Sequence, residues 1–217
     1  MGRLQGQVAM LTGTSRGLGK ALAEAFRAEG AVVLGASRQA GVDIRDPAAV
    51  RRWFAAAVHD HGGVDILVNN AGILTPRKPL VAVTDEEWRE SIAVNLDAVF
   101  TCMREALRYM IPRGSGLIIN VSSGVAGRAA PQWGAYAAAK WGVEGLTRLA
   151  AEEVRGQGIR VVSINPGRTR TGMRAAAYPE EDPATVKTPE EAARFFVAVA
   201  TGGVPFTTGD SLEYREI

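Results

Sequence analysis

Tyr136 and Lys140 lie four residues apart in the stretch Tyr-Ala-Ala-Ala-Lys, a spacing that places both side chains on one face of a helix. An ammonium group beside a phenol stabilises the phenolate, so this pair predicts a pKa for Tyr136 below the usual value of about 10. Such a tyrosine can donate or accept a proton during catalysis. Ser123 follows an apolar run that reads as a buried strand, and there it can donate a hydrogen bond to a substrate oxygen. A tyrosine and a lysine at this spacing are ordinarily an exposed pair. The segments upstream therefore decide whether this pair is catalytic.

A glycine-rich turn near the N-terminus joins a strand to a helix. The apolar run Val8–Leu11 precedes it, and the amphipathic run Lys20–Glu29 follows it. Gly13, Gly17 and Gly19 allow a tight turn and the close approach of a pyrophosphate to the helix N-terminus, where free N–H groups favour anions. This position between strand and helix predicts a dinucleotide site.

The end of the second strand indicates which dinucleotide is preferred. In dinucleotide-binding folds a carboxylate at this place binds the ribose 2′-OH, whereas arginine accommodates a 2′-phosphate. The strand Ala31–Ala36 is followed by Ser37 and Arg38, and Arg16 lies within the glycine turn. Two arginines and no acid favour NADP(H) over NAD(H), although solvated surface cations are the alternative.

A helix is missing after the second strand. Val42–Ile44 resembles a third strand, but only Gln39–Gly41 separate it from Arg38, and a parallel crossover needs about a dozen residues or more. We therefore expect a loop here and a third strand that is shortened or absent. Asp46 and Pro47 then predict the start of a helix running to about Asp60.

Strands and helices alternate along the rest of the chain. Strands are expected at 64–68, 117–121 and 159–164. Thr84 and Glu87 predict a capping box for a long helix to about Met110, and a further helix is expected over 133–155. This order predicts an α/β protein with a doubly wound parallel sheet, the Rossmann fold, in a single domain over 1–217 that lacks the helix between its second and third strands.

Composition limits the possible functions. Apolar residues make up 47% and charged residues 22% of the 217, and the net charge is +2, so we expect no nucleic-acid or membrane partner. The only cysteine, Cys102, reads as a buried apolar residue, and a chain without a disulfide is expected in the cytoplasm. His59 and His61 have no clustered partner ligands, so no metal site is predicted.

Six motifs occur in a characteristic order. They are Thr12-Gly-x-x-x-Gly-x-Gly19, Asn69-Asn-Ala-Gly72, Asn95, Ser123, Tyr136-x-x-x-Lys140 and Asn165-Pro-Gly167. Together they resemble the short-chain dehydrogenase/reductase family over nearly the whole chain.

The resemblance implies a role for each catalytic residue. Tyr136 would be the general acid in carbonyl reduction and the base in alcohol oxidation, with Ser123 polarising the substrate oxygen. Lys140 would lower the pKa of Tyr136 and bind the nicotinamide ribose, and Asn95 would hold a water that links Lys140 to solvent.

The resemblance also implies a set of cofactor-binding residues. Besides Tyr136 and Lys140 they are Gly13, Ser15, Arg16, Gly17, Leu18 and Gly19 at the pyrophosphate, Ser37, Arg38, Asp43 and Ile44 at the adenosine, Asn69, Ala71 and Gly72 at the central strands, and Pro166, Gly167, Thr169 and Thr171 at the nicotinamide. Thr169 stands where the family usually has an aliphatic residue, which a backbone contact would tolerate. The segment 172–187 is short for a substrate cover.

The first hypothesis is an NADPH-dependent reductase of a ketone or aldehyde, with a 3-oxoacyl thioester as one candidate substrate. The alternatives are an NAD(P)+-dependent secondary-alcohol dehydrogenase and a non-catalytic dinucleotide-binding regulator. Val125, Trp133 and Met173 are candidate pocket residues or ordinary packing, and the arginines at 128, 168, 170 and 174 either attract an acidic substrate or form a solvated rim. Helices near 85–110 and 133–155 are expected to pair in a homodimer or homotetramer, as in the family.

Overall fold

The chain forms a parallel sheet covered by helices on both faces. The computed structural model describes residues 2–217, so Met1 of the predicted domain lies outside it. The strands are β1 (Val8–Thr12), β2 (Val32–Ala36), β3 (Ile66–Asn69), β4 (Gly116–Val121), β5 (Ile159–Asn165) and β6 (Ser211–Glu213). Across the described residues they form one sheet in the order β2-β1-β3-β4-β5-β6, with every neighbouring pair parallel. The predicted doubly wound parallel sheet is confirmed.

The described residues also form seven α-helices. They are α1 (Gly17–Ala28), α2 (Pro47–His61), α3 (Asp85–Ile92), α4 (Ala98–Arg113), α5 (Gly134–Glu153), α6 (Gly172–Ala177) and α7 (Pro189–Ala200). Helices α1 and α7 form one apolar core with the sheet, around Phe26 and Phe196. Helices α2, α4 and α5 form a second core around Phe54 and Val143. Successive strand residues alternate between these cores, as Ile66 and Leu67 do, because side chains alternate across a pleated sheet.

The strand order creates a crevice beside the glycine turn. The chain leaves β1 for β2 on one side and then returns to β3 on the other side of β1. Such a reversal leaves the carboxyl ends of β1 and β3 open between the connections, which is where ligands bind in sheets of this type. The residues after β1, β3, β4 and β5 therefore meet at one edge.

The connection after β2 is as short as the sequence predicts. A single 3₁₀ turn, Arg38–Ala40, is followed by Gly41 in a left-handed conformation (φ 75°), and Asp46 then caps α2. Between Arg38 and the candidate strand 42–44 there is no α-helix, and 42–44 is itself irregular, so α2 leads from this loop to β3. The prediction of a missing helix is confirmed, and the strand expected at 42–44 is absent, so β2 lies at the edge of the sheet.

The long helix predicted from Thr84 to about Met110 is present and contains one π-helical turn. Its capping box between Thr84 and Glu87 is present. A π-helical turn, Ala93–Asp97, separates α3 from α4, and α4 continues to Arg113. A π turn inserts an extra residue into the helix, which changes the direction of the side chains beside it. The predicted long helix is therefore present, and the sequence did not indicate the π turn that contains Asn95.

Phe196→Ala tests the core between α1 and α7. Phe196 is fully buried, so its truncation should lower the free energy of unfolding by about 3–5 kcal/mol through lost burial and an unfilled cavity. Leu80→Ala is the control, because Leu80 is 69% exposed and its truncation should cost about 0.5 kcal/mol or less. Chemical denaturation of both variants measures the difference. Equal losses would contradict this core assignment.

Candidate active site

Tyr136 lies in the first turn of α5, directed at Ser123 beyond the end of β4. The Tyr136 side chain is buried, and its phenol lies near the Ser123 side chain. Burial raises the pKa of Tyr136 above its ordinary value of 10, and the hydrogen bond from Ser123 opposes that rise only in part. Two hydroxyl groups therefore face one point in the crevice, and the phenol keeps its proton at neutral pH.

Lys140 occupies the next turn of α5 and is also buried. Its Nζ donates a hydrogen bond to the Val121 carbonyl at 2.7 Å and lies 5.7 Å from the centroid of the Tyr136 ring. Burial lowers the pKa of Lys140 to about 8, opposed by the negative charge of Glu144. The expected lowering of the Tyr136 pKa is not found, because desolvation of the phenol outweighs other effects and the ammonium is directed at a carbonyl.

Asn95 fixes the loop that follows β3. Its Nδ2 donates to the Ile73 carbonyl at 3.0 Å and to the Ser91 hydroxyl at 3.1 Å, and its Oδ1 accepts from the Ile73 amide at 3.1 Å. A Cβ at Gly72 would lie 2.9 Å from Asn95 Oδ1, so only glycine leaves room there. The side chain is thus fully engaged with the protein. The predicted water linking Lys140 to solvent stays a prediction.

The glycine turn has the shape that a pyrophosphate requires. Gly13 and Gly17 have positive φ angles of 76° and 54°, and a Cβ at Gly19 would collide with the Gly13 carbonyl. Side chains are thereby excluded where α1 begins, which leaves its first N–H groups open to an anion. The Ser15 and Arg16 side chains are exposed beside the turn, whereas Leu18 is buried beneath it.

Asn70, rather than Asn69, joins the glycine turn to β3. The Asn70 side chain donates to the Thr12 carbonyl at 2.9 Å, and the Thr12 hydroxyl accepts from the amides of Asn70 and Ala71, both at 3.0 Å. Asn69 instead donates to Asn120 Oδ1 at 2.9 Å inside the second core. Sequence reasoning missed Thr12 and Asn70. Strand alternation was the available signal, because Asn69 shares the face of Leu67.

Cations lie at the predicted adenosine end. Arg38 is exposed, and Ser37 Oγ accepts from the Ala40 amide at 3.1 Å. The carboxylate of Asp43 binds Arg45, with Oδ2 2.6 Å from Nη2, and the pKa of Asp43 is lowered by this hydrogen bond and by the nearby charge of Arg38. Arg45 was not identified from the sequence. Its signal is the i,i+2 spacing to Asp43. Ile44 contacts the second core.

The loop after β5 faces the glycine turn. Asn165 Oδ1 accepts from the Gly167 amide at 3.0 Å, and Gly167 has a positive φ of 64°. Thr169 Oγ1 donates to the Pro166 carbonyl at 3.3 Å, so the hydroxyl that replaces an aliphatic residue is satisfied locally. Thr171 caps α6, and its methyl would lie 3.3 Å from a Cβ built at Gly17. The predicted nicotinamide and pyrophosphate segments therefore lie close together.

An aromatic and cationic cluster packs against Tyr136. The ring of Trp133 is 5.7 Å from Tyr136 and 6.1 Å from Tyr178, centroid to centroid. The Arg77 guanidinium lies 5.1 and 5.0 Å from the Trp133 and Tyr178 rings and donates to the Ala177 carbonyl at 2.7 Å. Sequence reasoning did not identify Arg77 or Tyr178, since no local pattern marks a contact across 100 residues.

The other candidate pocket residues are distributed around this cluster. Met173 is 37% exposed beside Gly72, and Val125 is buried. In the predicted arginine rim, Arg168 and Arg174 both pair with Glu181, at 3.4 and 2.6 Å, so much of their charge is neutralised within the protein.

Other chemistries find little support in the described residues. Between residues 2 and 217 no three His, Cys, Asp or Glu side chains gather into a metal-binding group. None of the helices there is both long and apolar enough to span a bilayer. Cys102 is buried, and burial raises the pKa of its thiol to about 12, so it is a poor nucleophile.

The parallel sheet, the glycine turn, the buried Tyr136 and Lys140 and the adjacent Ser123 define an NAD(P)-dependent oxidoreductase. The family model described as short chain dehydrogenase matches residues 38–182, and the chain belongs to this family.

Relatives extend the match to almost the whole chain. It is 35% identical to the 3-oxoacyl-[acyl-carrier-protein] reductase FabG of Vibrio cholerae, with 96% of each chain covered. It is 34% identical to the 3alpha-hydroxysteroid dehydrogenase of Mediterraneibacter gnavus, covering 96% of this chain and 95% of the relative. The crystal structure of a short chain dehydrogenase from Shigella flexneri complexed with NADP is 28% identical, with a TM-score of 0.88 and coverage of 96% and 97%.

Thr12→Val tests the junction between the glycine turn and the loop after β3. Valine keeps the shape but leaves the amides of Asn70 and Ala71 without their acceptor, so the free energy of unfolding should fall by about 1–3 kcal/mol. Dinucleotide affinity, measured by titration, should fall as well. Thr12→Ser keeps the hydroxyl and is the control. A Val variant as stable as the Ser variant would contradict the role of Thr12.

Proposed function

We propose that the protein is an NADPH-dependent reductase of a ketone or aldehyde carbonyl. The observation that carries this proposal is the buried hydroxyl of Tyr136 beside the half-buried Ser123. A carbonyl oxygen that accepts hydrogen bonds from both is polarised for attack at its carbon. Tyr136 keeps its proton at neutral pH, and a protonated phenol is the form that a general acid requires.

The chain supplies positions and protons for this reaction. A bound NADPH supplies the hydride that adds to the carbonyl carbon. Tyr136 then gives its phenolic proton to the oxygen, which completes the alcohol, and the ammonium of Lys140 stabilises the phenolate left behind. Proton resupply from solvent past Lys140 and Asn95 restores the phenol. Gly13, Gly17 and Gly19, with Thr171 opposite, would hold the pyrophosphate.

A secondary-alcohol dehydrogenase is the second candidate. The same residues run in reverse when Tyr136 begins as the base, and the relative from Mediterraneibacter gnavus is named for the oxidation of a hydroxysteroid. The relative from Vibrio cholerae is named as a 3-oxoacyl reductase, which favours reduction and makes a 3-oxoacyl thioester the first substrate to assay. The cover formed by Trp133 and Tyr178 favours a modest pocket.

The preference for NADP(H) is supported by charge at the end of β2. Arg16 and Arg38 are both exposed, and the carboxylate of Asp43 is engaged by Arg45. An acid bound to arginine is a poor acceptor for a ribose hydroxyl. The NADP complex of the Shigella flexneri relative agrees with this preference.

A homodimer or homotetramer is proposed from the apolar surface of α4 and α5. Trp141 and Leu149, eight residues apart on α5, are 51% and 55% exposed, and Phe100 on α4 is 45% exposed. Large side chains on neighbouring helices are typical of a surface that a second copy covers. We also expect the enzyme to act in the cytoplasm on a small molecule, since a single cysteine permits no internal disulfide.

Dinucleotide titration tests the cofactor proposal. NADPH should bind much more tightly than NADH, measured by energy transfer from the tryptophans. Arg38→Gln should weaken NADPH roughly tenfold or more through loss of a charged hydrogen bond while leaving NADH unchanged. Arg148→Gln, an exposed arginine of α5, is the control. A preference for NADH would refute the proposed selectivity, and binding of neither would support a role without dinucleotide chemistry.

Tyr136→Phe tests the catalytic proposal. The variant keeps the ring but loses the proton donor, so kcat for ketone reduction should fall by roughly 10²–10⁴. NADPH affinity should stay within about twofold, and Tyr109→Phe, which changes a tyrosine stacked on Phe54, should retain full activity. Turnover that survives in Tyr136→Phe would exclude Tyr136 as the acid. An unchanged biological activity without turnover would favour a regulatory protein.

A further inference from the structure

Glu144 forms a buried polar cluster one helical turn beyond Lys140. The residue is 6% exposed, and its carboxylate accepts hydrogen bonds from three serine hydroxyls. Ser122 follows β4, Ser163 belongs to β5 at 2.8 and 3.0 Å from the two oxygens, and Ser211 belongs to β6 at 3.1 Å. A hydroxyl has one proton to donate, and three donors suit an ionised carboxylate, which only accepts.

This cluster is joined to the catalytic residues through two consecutive residues. The Val121 carbonyl accepts from Lys140, and the Ser122 hydroxyl donates to Glu144, so two adjacent turns of α5 hold one short segment. The Ser122 amide also donates to the Ile164 carbonyl of β5 at 2.8 Å. Ser123 is the next residue, and the direction of its hydroxyl depends on this segment.

Glu144 is also a charge partner of Lys140. A buried ammonium is costly unless an opposite charge is near, and Glu144 is the group whose charge favours protonated Lys140. Tyr136, on the same helix, stays neutral, and Glu213 of β6 binds the Asn165 amide at 2.6 Å. The turn and helix packed against α5 also carry Asp97 and the charged residues of 85–90. Glu144 is therefore a carboxylate on α5 that offsets the positive charge of Lys140 on the same helix.

We propose that Glu144 is a positioning residue for the catalytic group. Through Ser122 it fixes the segment that carries Ser123, and its carboxylate is the buried counter-charge of Lys140. Because Ser211 donates to the same carboxylate, strand β6 is tied to the site as well. The effect on turnover rests on the proposed reductase function, but the effect on Lys140 does not.

Lysine titration without cofactor tests the counter-charge directly. The chain has four lysines, so NMR of protein labelled with ¹³C at lysine Cε can follow each one, with Lys140 assigned by the loss of its signal in Lys140→Arg. In Glu144→Gln the titration midpoint of Lys140 should fall by about one pH unit or more. Glu153→Gln, on the exposed side of α5, should not move it. An unchanged midpoint in folded Glu144→Gln would refute the counter-charge.

Steady-state kinetics test the consequence for catalysis. In Glu144→Gln, kcat should fall roughly 10- to 100-fold through a misplaced Ser123 hydroxyl and lost charge, while KM for NADPH changes by about twofold or less. Without the carboxylate Lys140 loses its proton at lower pH, so activity should decline earlier as pH rises. Glu144→Asp, which keeps the charge, should restore the position of that decline. A merely structural role would leave the pH profile unmoved.

Ser122→Ala tests the positioning of Ser123 separately from the counter-charge of Lys140. It also provides a test if Glu144→Gln does not fold. It removes one hydrogen bond but leaves both charges, so kcat should fall with the pH profile unchanged. A Ser122→Ala enzyme with wild-type kcat would refute the positioning of Ser123. A wild type that reduces no carbonyl would instead refute the proposed function, and the lysine titration would still decide the counter-charge.

Discussion

The hydrogen bond from Lys140 to the Val121 carbonyl joins α5 to the end of β4, and the geometry of the site depends on it. It places Tyr136, one turn earlier, against Ser123, two residues beyond Val121. An ammonium buried at 3% exposure is unfavourable in isolation, so this arrangement persists only with acceptors and an opposite charge nearby. The Val121 carbonyl and the Glu144 carboxylate meet those needs. The contacts that position Tyr136 and Ser123 therefore also stabilise the buried charge of Lys140, and they lie within two turns of α5.

The helix missing after β2 leaves the candidate site intact because the residues of β2 contribute little to either core. The alignment with the Vibrio cholerae relative runs over 234 positions, although this chain has only 217 residues, so that relative has residues without a counterpart here. Four of the five residues of β2 are only half-buried, whereas β1 is fully buried. Helix α7 packs on α1 and covers that face of the sheet without the missing helix. The shortening therefore affects the adenosine end and leaves the crevice between β1 and β3 in place.

The sequence was most informative where local spacing determines structure. The glycine turn, the i,i+4 pair Tyr136 and Lys140, and the short connection after Arg38 all depend on neighbours along the chain, and the structure has them as expected. Contacts between distant segments were not predictable in this way. Arg77 reaches Tyr178 from another loop, and no periodicity marks such a pair.

The choice between Asn69 and Asn70 depends on the face of β3 that each occupies. Alternation along the strand could have indicated that face, but only the packed structure shows that the opposite side carries the glycine turn. The π turn at Asn95 was missed for a related reason. Its sequence is an ordinary helical one, and the extra residue is accommodated because Asn95 gains hydrogen bonds to Ile73 and Ser91.

The pKa of Tyr136 shows why residue types alone do not determine chemistry. A nearby ammonium lowers and burial raises the pKa of a phenol, and the sequence indicates the first effect but not the second. In the folded chain burial prevails, because Trp133 covers the ring and the Lys140 ammonium is held by a carbonyl. A phenol that keeps its proton is in the form that a general acid requires, whereas a general base requires the phenolate. A positive charge near the ring stabilises the phenolate, so the balance between burial and nearby charge decides which form Tyr136 takes.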